Sequence, residues 1–212
     1  MDSDIATRIG AVTREVRNGE REGRPARSVV ASRTYDTTID DVWEAISDPA
    51  RLPRWFLPVS GDLRLGGRYQ LEGNAGGTIT QCEPPRHLAV TWEFGSAVSW
   101  LDVRLAEDSG GGTRLELEHE ALLDDHWETY GPGAAGVGWD LALMGLTAHL
   151  AGGAPVDPER AASWSTSAEG KAFIRGSSED WCRAGIEAGA DAQSAAAAAA
   201  RTTSFYTGEG AA

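Results

Sequence analysis

The sequence predicts an α+β fold in which a curved antiparallel sheet of six or seven strands grips a long C-terminal helix, with extra helices at both termini. Three observations support this: two short helices within residues 37–56, alternating strands between residues 68 and 121, and an apolar helical pattern over residues 136–150. Short turns between alternating strands are typical of an antiparallel meander. Because one face of such a sheet is apolar, it needs a cover, and the long helix is the predicted one.

The N-terminal segment predicts a helix over residues 4–17, followed by a polar link and a first strand over residues 27–35. The helix is predicted because four apolar residues recur at helical spacing: Ile5, Ile9, Val12 and Val16.

Two short helices are predicted directly after the first strand. Thr37 or Thr38 can cap the first helix, since a side-chain oxygen at that position accepts a backbone N–H of the first turn. Asp48 can cap the second, with Pro49 in its first turn, where a missing N–H is tolerated. Trp55 then begins an aromatic pair that closes the segment.

Five further strands are predicted near residues 68–72, 77–83, 87–94, 98–107 and 113–121. Their apolar residues alternate with polar ones, so one face of the sheet is covered and the other faces water. The chain beyond the long helix predicts helices over residues 169–175 and 178–188, with Ser177 or Ser178 as a start signal. A last helix begins after Asp191 and runs to about residue 203, and residues 208–212 are expected to be frayed.

These motifs, in this order, resemble the START-like, helix-grip superfamily, also called SRPBCC or birch-pollen-allergen-like. Within it the match is to the bacterial branch related to the C-terminal domain of the activator of heat-shock protein 90 ATPase. The resemblance covers about residues 27–151. Together with the helical patterns on either side of it, it predicts three parts: an N-terminal helix and linker (1–24), a START-like domain (25–152) and a helical extension (153–212). Its motifs are Thr38, Val42, Trp43, residues 47–49, 55–56, 65–69, 77–79, 88–94 and 112–115, and His119.

Composition disfavours several classes of protein. The net charge of −13 comes without a cluster of Lys or Arg, and phosphate neutralisation supplies most non-specific nucleic-acid affinity. Asp2 and Asp4 stand where a signal peptide needs an apolar run, and no stretch is apolar enough to span a membrane. Cys82 and Cys182 lack metal-ligand spacing. We therefore expect a cytoplasmic protein with free thiols, no metal and no cofactor.

Inward-facing aromatic residues are the main functional signal. They predict an internal cavity between sheet and long helix that binds a small apolar or aromatic molecule; the alternative is that the same rings fill a solid core. Inside the cavity, His119 could serve as a polar handle or as an acid–base group. The predicted lining is Trp55, Phe56, Tyr69, Gln81, Trp92, Phe94, Leu117, His119, Trp139, Leu143 and Met144.

Three functions remain open at this point. The first is the binding of a small hydrophobic ligand. The second is an enzyme of the cyclase, dehydratase or hydrolase type in the same cavity, which needs a second polar group facing His119, such as Tyr69, Gln81 or Asp125. No catalytic motif is visible, so no catalytic residue is assigned. The third is a protein-interaction, co-chaperone or regulatory role. The sequence leaves the choice between monomer and homodimer open.

Overall fold

The computed structural model describes residues 2–209 and divides them into two compact units. Unit 1 holds the described residues of Met1–Ala31, Leu122–Leu141 and Asp157–Ala212, and unit 2 holds Ser32–Ala121 and Ala142–Val156. The helices are α1 (Asp2–Gly10), α2 (Ile39–Ser47), α3 (Asp125–Tyr130), α4 (Gly133–Leu150), α5 (Pro158–Thr166), α6 (Ala168–Glu187) and α7 (Ala192–Thr207), together with a 3-10 turn at Leu52–Arg54. Within residues 2–209, no helix is long and apolar enough to cross a membrane.

Within residues 2–209, eight strands form one sheet in the order β1-β2-β8-β7-β6-β5-β4-β3. The consecutive pairs from β3 to β8 are all antiparallel, which confirms the predicted α+β class with a meander and a long helix. The strand count is higher than the predicted six or seven. The strands are β1 (Thr13–Arg21), β2 (Arg24–Tyr35), β3 (Val59–Gly61), β4 (Arg68–Leu71), β5 (Gly76–Glu83), β6 (His87–Phe94), β7 (Ala97–Glu107) and β8 (Thr113–Leu122).

The N-terminal prediction is wrong in its second half, since a helix ends at Gly10 and residues 13–21 form strand β1. Val12 and Val16 lie four positions apart, a spacing that puts two residues on one face of a helix and also on one face of a strand. The backbone turns into β2 with positive φ at both Glu22 (53°) and Gly23 (75°). Two successive positive φ values are what a tight hairpin turn requires, so the chain folds back as a strand pair.

The paired short helices are confirmed in part. Thr38 caps α2, and its hydroxyl accepts the backbone N–H of Asp41 at 3.3 Å. Asp48 does not start a second α-helix; its carboxylate accepts the N–H of Ala50 at 2.8 Å within a turn, and a single 3-10 turn follows.

The C-terminal segment contains fewer breaks than predicted. The two helices expected at residues 169–175 and 178–188 are the single helix α6, capped by Ser167. Ser177 and Ser178 are buried in its middle, at 0% and 1% exposure, and do not start a helix. Asp191 caps α7 as predicted. Of the segment expected to be frayed, residues 210–212 lie outside the described residues.

Unit 1 is organised around a buried ion-pair network. Asp140 of α4 is 1% exposed, and its Oδ2 accepts hydrogen bonds from Arg14 Nε (2.9 Å), Trp181 Nε1 (3.1 Å) and the hydroxyl of Ser177. Arg14 Nη1 also donates to Asp180 Oδ2 at 3.0 Å. Burial raises the pKa of the Asp140 carboxyl, while these donors oppose the shift. The network therefore ties β1 and α6 to α4 by charge as well as by packing.

Candidate functional site

The candidate site is the inner face of strands β4–β8 in unit 2, together with the residues that pack on it. In the sheet register, Val90 lies opposite Leu101, and Leu101 lies opposite His119. Directly opposed residues point to the same side of a sheet, so these three share the inner face. Thr91, which lies beside Val90, points to the other face.

Exposure along the inner face of β6 falls from the hairpin end of the strand to its middle. Phe94 is 61% exposed beside the β6–β7 hairpin, Trp92 is partly buried, and Val90 is 8% exposed. Phe94 was predicted to line an internal cavity, but its side chain lies at the open end of this face instead. It projects from the last residue of the strand, where nothing further along β6 covers it.

A packed cluster forms the central part of the inner face. Its buried members are Tyr69, Leu71, Ile79 and Val90, and the partly buried side chains packed against it are Leu52, Phe56, Leu57, Val59, Cys82, Leu88, Trp92 and Leu101. The hydroxyl of Tyr69 donates to the backbone oxygen of Thr91 at 2.8 Å, and burial raises the pKa of this phenol. Phe56, Tyr69 and Trp92 of the predicted lining are therefore brought together.

The α2 segment and α4 contribute the remaining apolar groups within unit 2. Trp55 Nε1 donates to the backbone oxygen of Ala45 at 2.8 Å, and the Trp55 and Phe56 rings stack at 5.4 Å between centroids. Gly145 of α4 passes so close that an added Cβ would lie 2.7 Å from the Trp55 backbone oxygen. Glycine at this position therefore lets the helix approach the aromatic pair.

The predicted lining residues on the middle of β8 and on α4 are mostly buried. Leu117 is 5% exposed on β8 opposite Val103, and Leu143 is 2% exposed on α4, whereas Met144 is partly buried. Trp139, at 8% exposure, belongs to unit 1.

Gln81 does not face this site, contrary to the prediction. The register of β5 against β6 shifts between Ile79, which opposes Val90, and Gln81, which opposes Ala89 on the outer face. Gln81 Nε2 instead donates to Glu83 Oε1 at 2.6 Å. A β-bulge inserts one residue and reverses the alternation beyond it. Consequently Cys82, and not Gln81, packs against the inner cluster.

His119 has a polar partner that the sequence did not single out. Ser99 Oγ lies 2.8 Å from His119 Nε2, and the His119 ring lies 5.8 Å from the Trp92 ring. Burial lowers the pKa of His119 to about 4, so the imidazole is neutral at physiological pH. Ser99 could have been found from its alternation with Leu101, which places both on the inner face.

The other groups proposed from the sequence lie elsewhere. Asp125, which was proposed as a polar group facing His119, is the first residue of helix α3, within unit 1. Both cysteines are free thiols. Across residues 2–209 no group of three or more His, Cys, Asp or Glu side chains is arranged to hold a metal ion.

The sheet, the long helix and the two short helical segments define a helix-grip α+β protein. The sequence profile of the family described as Activator of Hsp90 ATPase homolog 1-like protein matches residues 36–151, which is more than half of the chain. The chain belongs to this family.

Solved structures agree with that assignment. The crystal structure of CalU16 from Micromonospora echinospora is 33% identical, with a TM-score of 0.66, over 82% of this chain and 98% of CalU16. The solution structure of CalU16 gives 33% identity and a TM-score of 0.71 over 84% and 97%. MLL2253 from Mesorhizobium loti shares the fold at 21% identity and a TM-score of 0.53, over 59% of this chain and 97% of its own. A comparison with curated proteins gives no match.

The similarity to CalU16 extends beyond the family profile. It spans 84% of this chain, whereas the profile ends at residue 151 and begins at residue 36. Part of the chain outside residues 36–151 is therefore also matched by the CalU16 structure.

Proposed function

We propose that unit 2 binds a small apolar or aromatic molecule between the inner face of its sheet and the α4 residues that unit 2 contains. The observation that carries this proposal is the incomplete burial of large apolar side chains on that face. Leu88, Trp92 and Leu101 keep accessible surface although they point inward. A solid core buries such side chains fully, whereas the wall of a binding site reached from solvent does not.

The exposure of the inner-face side chains along β7 supports the same interpretation. On β7, Leu101 is partly buried, while Val103 and Leu105 are 7% and 4% exposed. On β7, accessible surface is therefore concentrated toward the β6–β7 hairpin, beside which Phe94 of β6 stands exposed. A ligand entering at this end would meet aromatic surface first, and apolar burial would supply most of its binding free energy.

The pair formed by His119 and Ser99 provides polar contact within this apolar wall. Polar groups on a buried face are unfavourable unless they are hydrogen-bonded, and these two satisfy each other at 2.8 Å. Because the imidazole is neutral, the pair can orient a ligand without requiring it to carry charge.

A substitution that fills space tests the proposal directly. If a cavity lies beside Leu117, the larger indole of Leu117→Trp occupies it, so the free energy of unfolding changes by less than about 1 kcal/mol and probe binding is lost. If the interior is solid, the same change overpacks it and destabilises the protein by about 1–3 kcal/mol. Leu71→Trp is the matched control, because Leu71 is 3% exposed within the packed cluster and should be overpacked in either case.

Binding itself is measured by titrating naphthalene derivatives while following tryptophan fluorescence, and by native mass spectrometry of protein purified from its own host. The proposal is contradicted if the wild-type protein binds no probe and carries no small molecule, and if Leu117→Trp destabilises the protein as strongly as Leu71→Trp does.

An enzyme in the same site is the second candidate, because Ser99 supplies the second inward polar group that such a function needs. Ser99 Oγ would attack an ester carbonyl carbon while its proton passes to His119 Nε2, and the leaving alkoxide would take that proton. Water would then hydrolyse the acyl-serine. A histidine whose pKa is about 4 is a weak base near neutral pH, which favours the binding function over this one.

Covalent labelling separates the two candidates. A fluorophosphonate probe should label Ser99 in an enzyme, and Ser99→Ala should abolish both labelling and hydrolysis of nitrophenyl esters. Equal, slow hydrolysis by wild type and Ser99→Ala, with no labelled serine, removes the enzyme candidate.

A further inference from the structure

Ser99 occupies a position on β7 from which it faces both strands beside it. It lies opposite Trp92 of β6 in the sheet register and shares the inner face with Leu101. Its hydroxyl lies 3.2 Å from the backbone oxygen of Trp92 and 2.8 Å from His119 Nε2. Within the described part of the chain, these are the two partners of the hydroxyl.

The Ser99 hydroxyl keeps at least one lone pair that can accept a hydrogen bond from a ligand. A serine hydroxyl has one hydrogen and two lone pairs. If the hydrogen goes to the Trp92 oxygen, His119 Nε2–H donates to one lone pair, and one lone pair remains. If the hydrogen goes to His119 Nε2, both lone pairs remain. The hydrogen is used in either tautomer of His119, and the oxygen keeps capacity to accept in both.

From this we infer that Ser99 selects the ligand, and that the ligand is an uncharged aromatic or apolar molecule carrying an O–H or N–H donor, such as a phenol or an alcohol. The inference rests on the proposed function and specifies its ligand class. A donor on the ligand satisfies the remaining lone pair of Ser99. An ether or a ketone offers only acceptors, so it leaves that lone pair without a partner.

Anionic ligands are disfavoured at this position for the same reason. A carboxylate would place its own lone pairs against that of Ser99 and would lose its hydration beside a neutral imidazole. A guanidinium on the inner face could attract an anion. Ser32 Oγ accepts from Arg114 at 3.1 Å on the outer face. Arg33 follows Ser32 on the same strand and therefore points inward, with its Cζ 5.6 Å from the Tyr35 ring centroid.

Three probes of similar shape distinguish these ligand classes: naphthol as a donor, methoxynaphthalene as an acceptor only, and naphthoate as an anion. Each is titrated against wild type and Ser99→Ala by tryptophan fluorescence. We expect wild type to bind naphthol about fivefold to tenfold more tightly than methoxynaphthalene, as one hydrogen bond provides. In Ser99→Ala the affinities for naphthol and methoxynaphthalene should differ by less than about twofold.

Two further variants make the result specific to the Ser99 oxygen. Ser99→Thr keeps the hydroxyl and should restore the preference for naphthol. Ser47→Ala is the matched control, because the Ser47 hydroxyl donates to the Trp43 backbone oxygen at 2.7 Å within α2 and should leave every affinity unchanged. Near-ultraviolet circular dichroism confirms that each variant is folded.

The outcomes separate the inference from the function on which it rests. If wild type binds the probes but shows no preference for naphthol, or if Ser99→Ala keeps the preference, the inference is overturned while ligand binding stands. Tighter binding of naphthoate than of naphthol also overturns it and would indicate Arg33. If wild type binds no probe at all, the proposed function and this inference fail together.

Discussion

Replacing the buried carboxylate of Asp140 by an amide should destabilise unit 1 strongly. Asp140 is 1% exposed and lies 2.9 Å from Arg14 Nε, and the Arg14 side chain is only 4% exposed. Asp140→Asn preserves the volume and an oxygen that can still accept from Ser177 and Trp181. It therefore removes the charge that compensates Arg14 while leaving the packing in place.

The expected loss can be estimated from the burial of the pair. Removing one partner of a buried ion pair typically lowers the free energy of unfolding by about 3–5 kcal/mol. Arg14 keeps Asp180 Oδ2 at 3.0 Å, and the Asp180 side chain is 19% exposed. Among the described residues, Asp140 Oδ1 is buried and accepts no hydrogen bond, so the carboxylate is itself incompletely compensated. Both facts favour the lower end of this range, so we expect Asp140→Asn to lower the free energy of unfolding by about 3 kcal/mol.

The measurement is urea unfolding followed by tryptophan fluorescence and far-ultraviolet circular dichroism, with the free energy taken where both signals follow one transition. A double-mutant cycle with Arg14→Met should give a coupling energy of at least about 2 kcal/mol, because neither charge is left alone in the double variant. The matched control is Asp62→Asn. Asp62 pairs with Arg64 at 2.8 Å, but these side chains are 53% and 80% exposed, so its loss should stay below about 1 kcal/mol.

The reasoning would be refuted by a loss for Asp140→Asn no larger than that of Asp62→Asn. It would be refuted equally by additive effects of Arg14→Met and Asp140→Asn, since additivity means that the two charges do not depend on each other.

Three other predictions concern single residues. The pKa of His119 is about 4 in the folded protein and 6.5 in the reference state, so the unfolded chain takes up the proton first as the pH falls. The free energy of unfolding of wild type should therefore decrease by about 3 kcal/mol between pH 6.5 and pH 4, and that of His119→Gln should not. Parallel pH profiles of the two proteins would contradict this. Gly136→Ala would place a Cβ 2.3 Å from the Trp181 ring, so it should lower the free energy of unfolding by at least about 1–3 kcal/mol. Gly10→Ala is the control, because its Cβ meets nothing within 4 Å and should change stability little. Equal urea midpoints for the two variants would show that the Trp181 ring can move. Asp191→Ala removes the carboxylate that accepts the Ser194 N–H at the start of α7, so it should lower the free energy of unfolding by about 1 kcal/mol. Unchanged amide exchange in the first turn of α7 would argue against a capping role.

Local patterns were sufficient where one physical requirement dominated. Strand β6 runs over residues 87–94, as its alternation predicted, because a half-buried strand needs one apolar face. Thr38 and Asp191 cap their helices because orphan N–H groups at a helix start need an acceptor wherever the helix packs. The inner-face positions of Trp92, Leu117 and His119 followed from the same alternation.

Other features depended on partners far away in the sequence. The single helix α6 runs through Ser177 and Ser178, whose polar groups signalled a break, because Asp140 on α4 gives the Ser177 hydroxyl a buried acceptor. The outward position of Gln81 depended on a bulge, and nothing in the local composition of β5 marks the inserted residue.

The amino-acid sequence by itself determined the α+β class, the family and the apolar inner face, because periodicity, caps and turns act over a few residues and repeat in a recognisable order. Only the tertiary structure decided which polar groups meet on that face and within unit 1. Ser99 reaches His119 across a strand pair, and Arg14 reaches Asp140 across more than a hundred residues of chain. Such pairs are selected by the register and packing of whole elements, which no short stretch of sequence specifies.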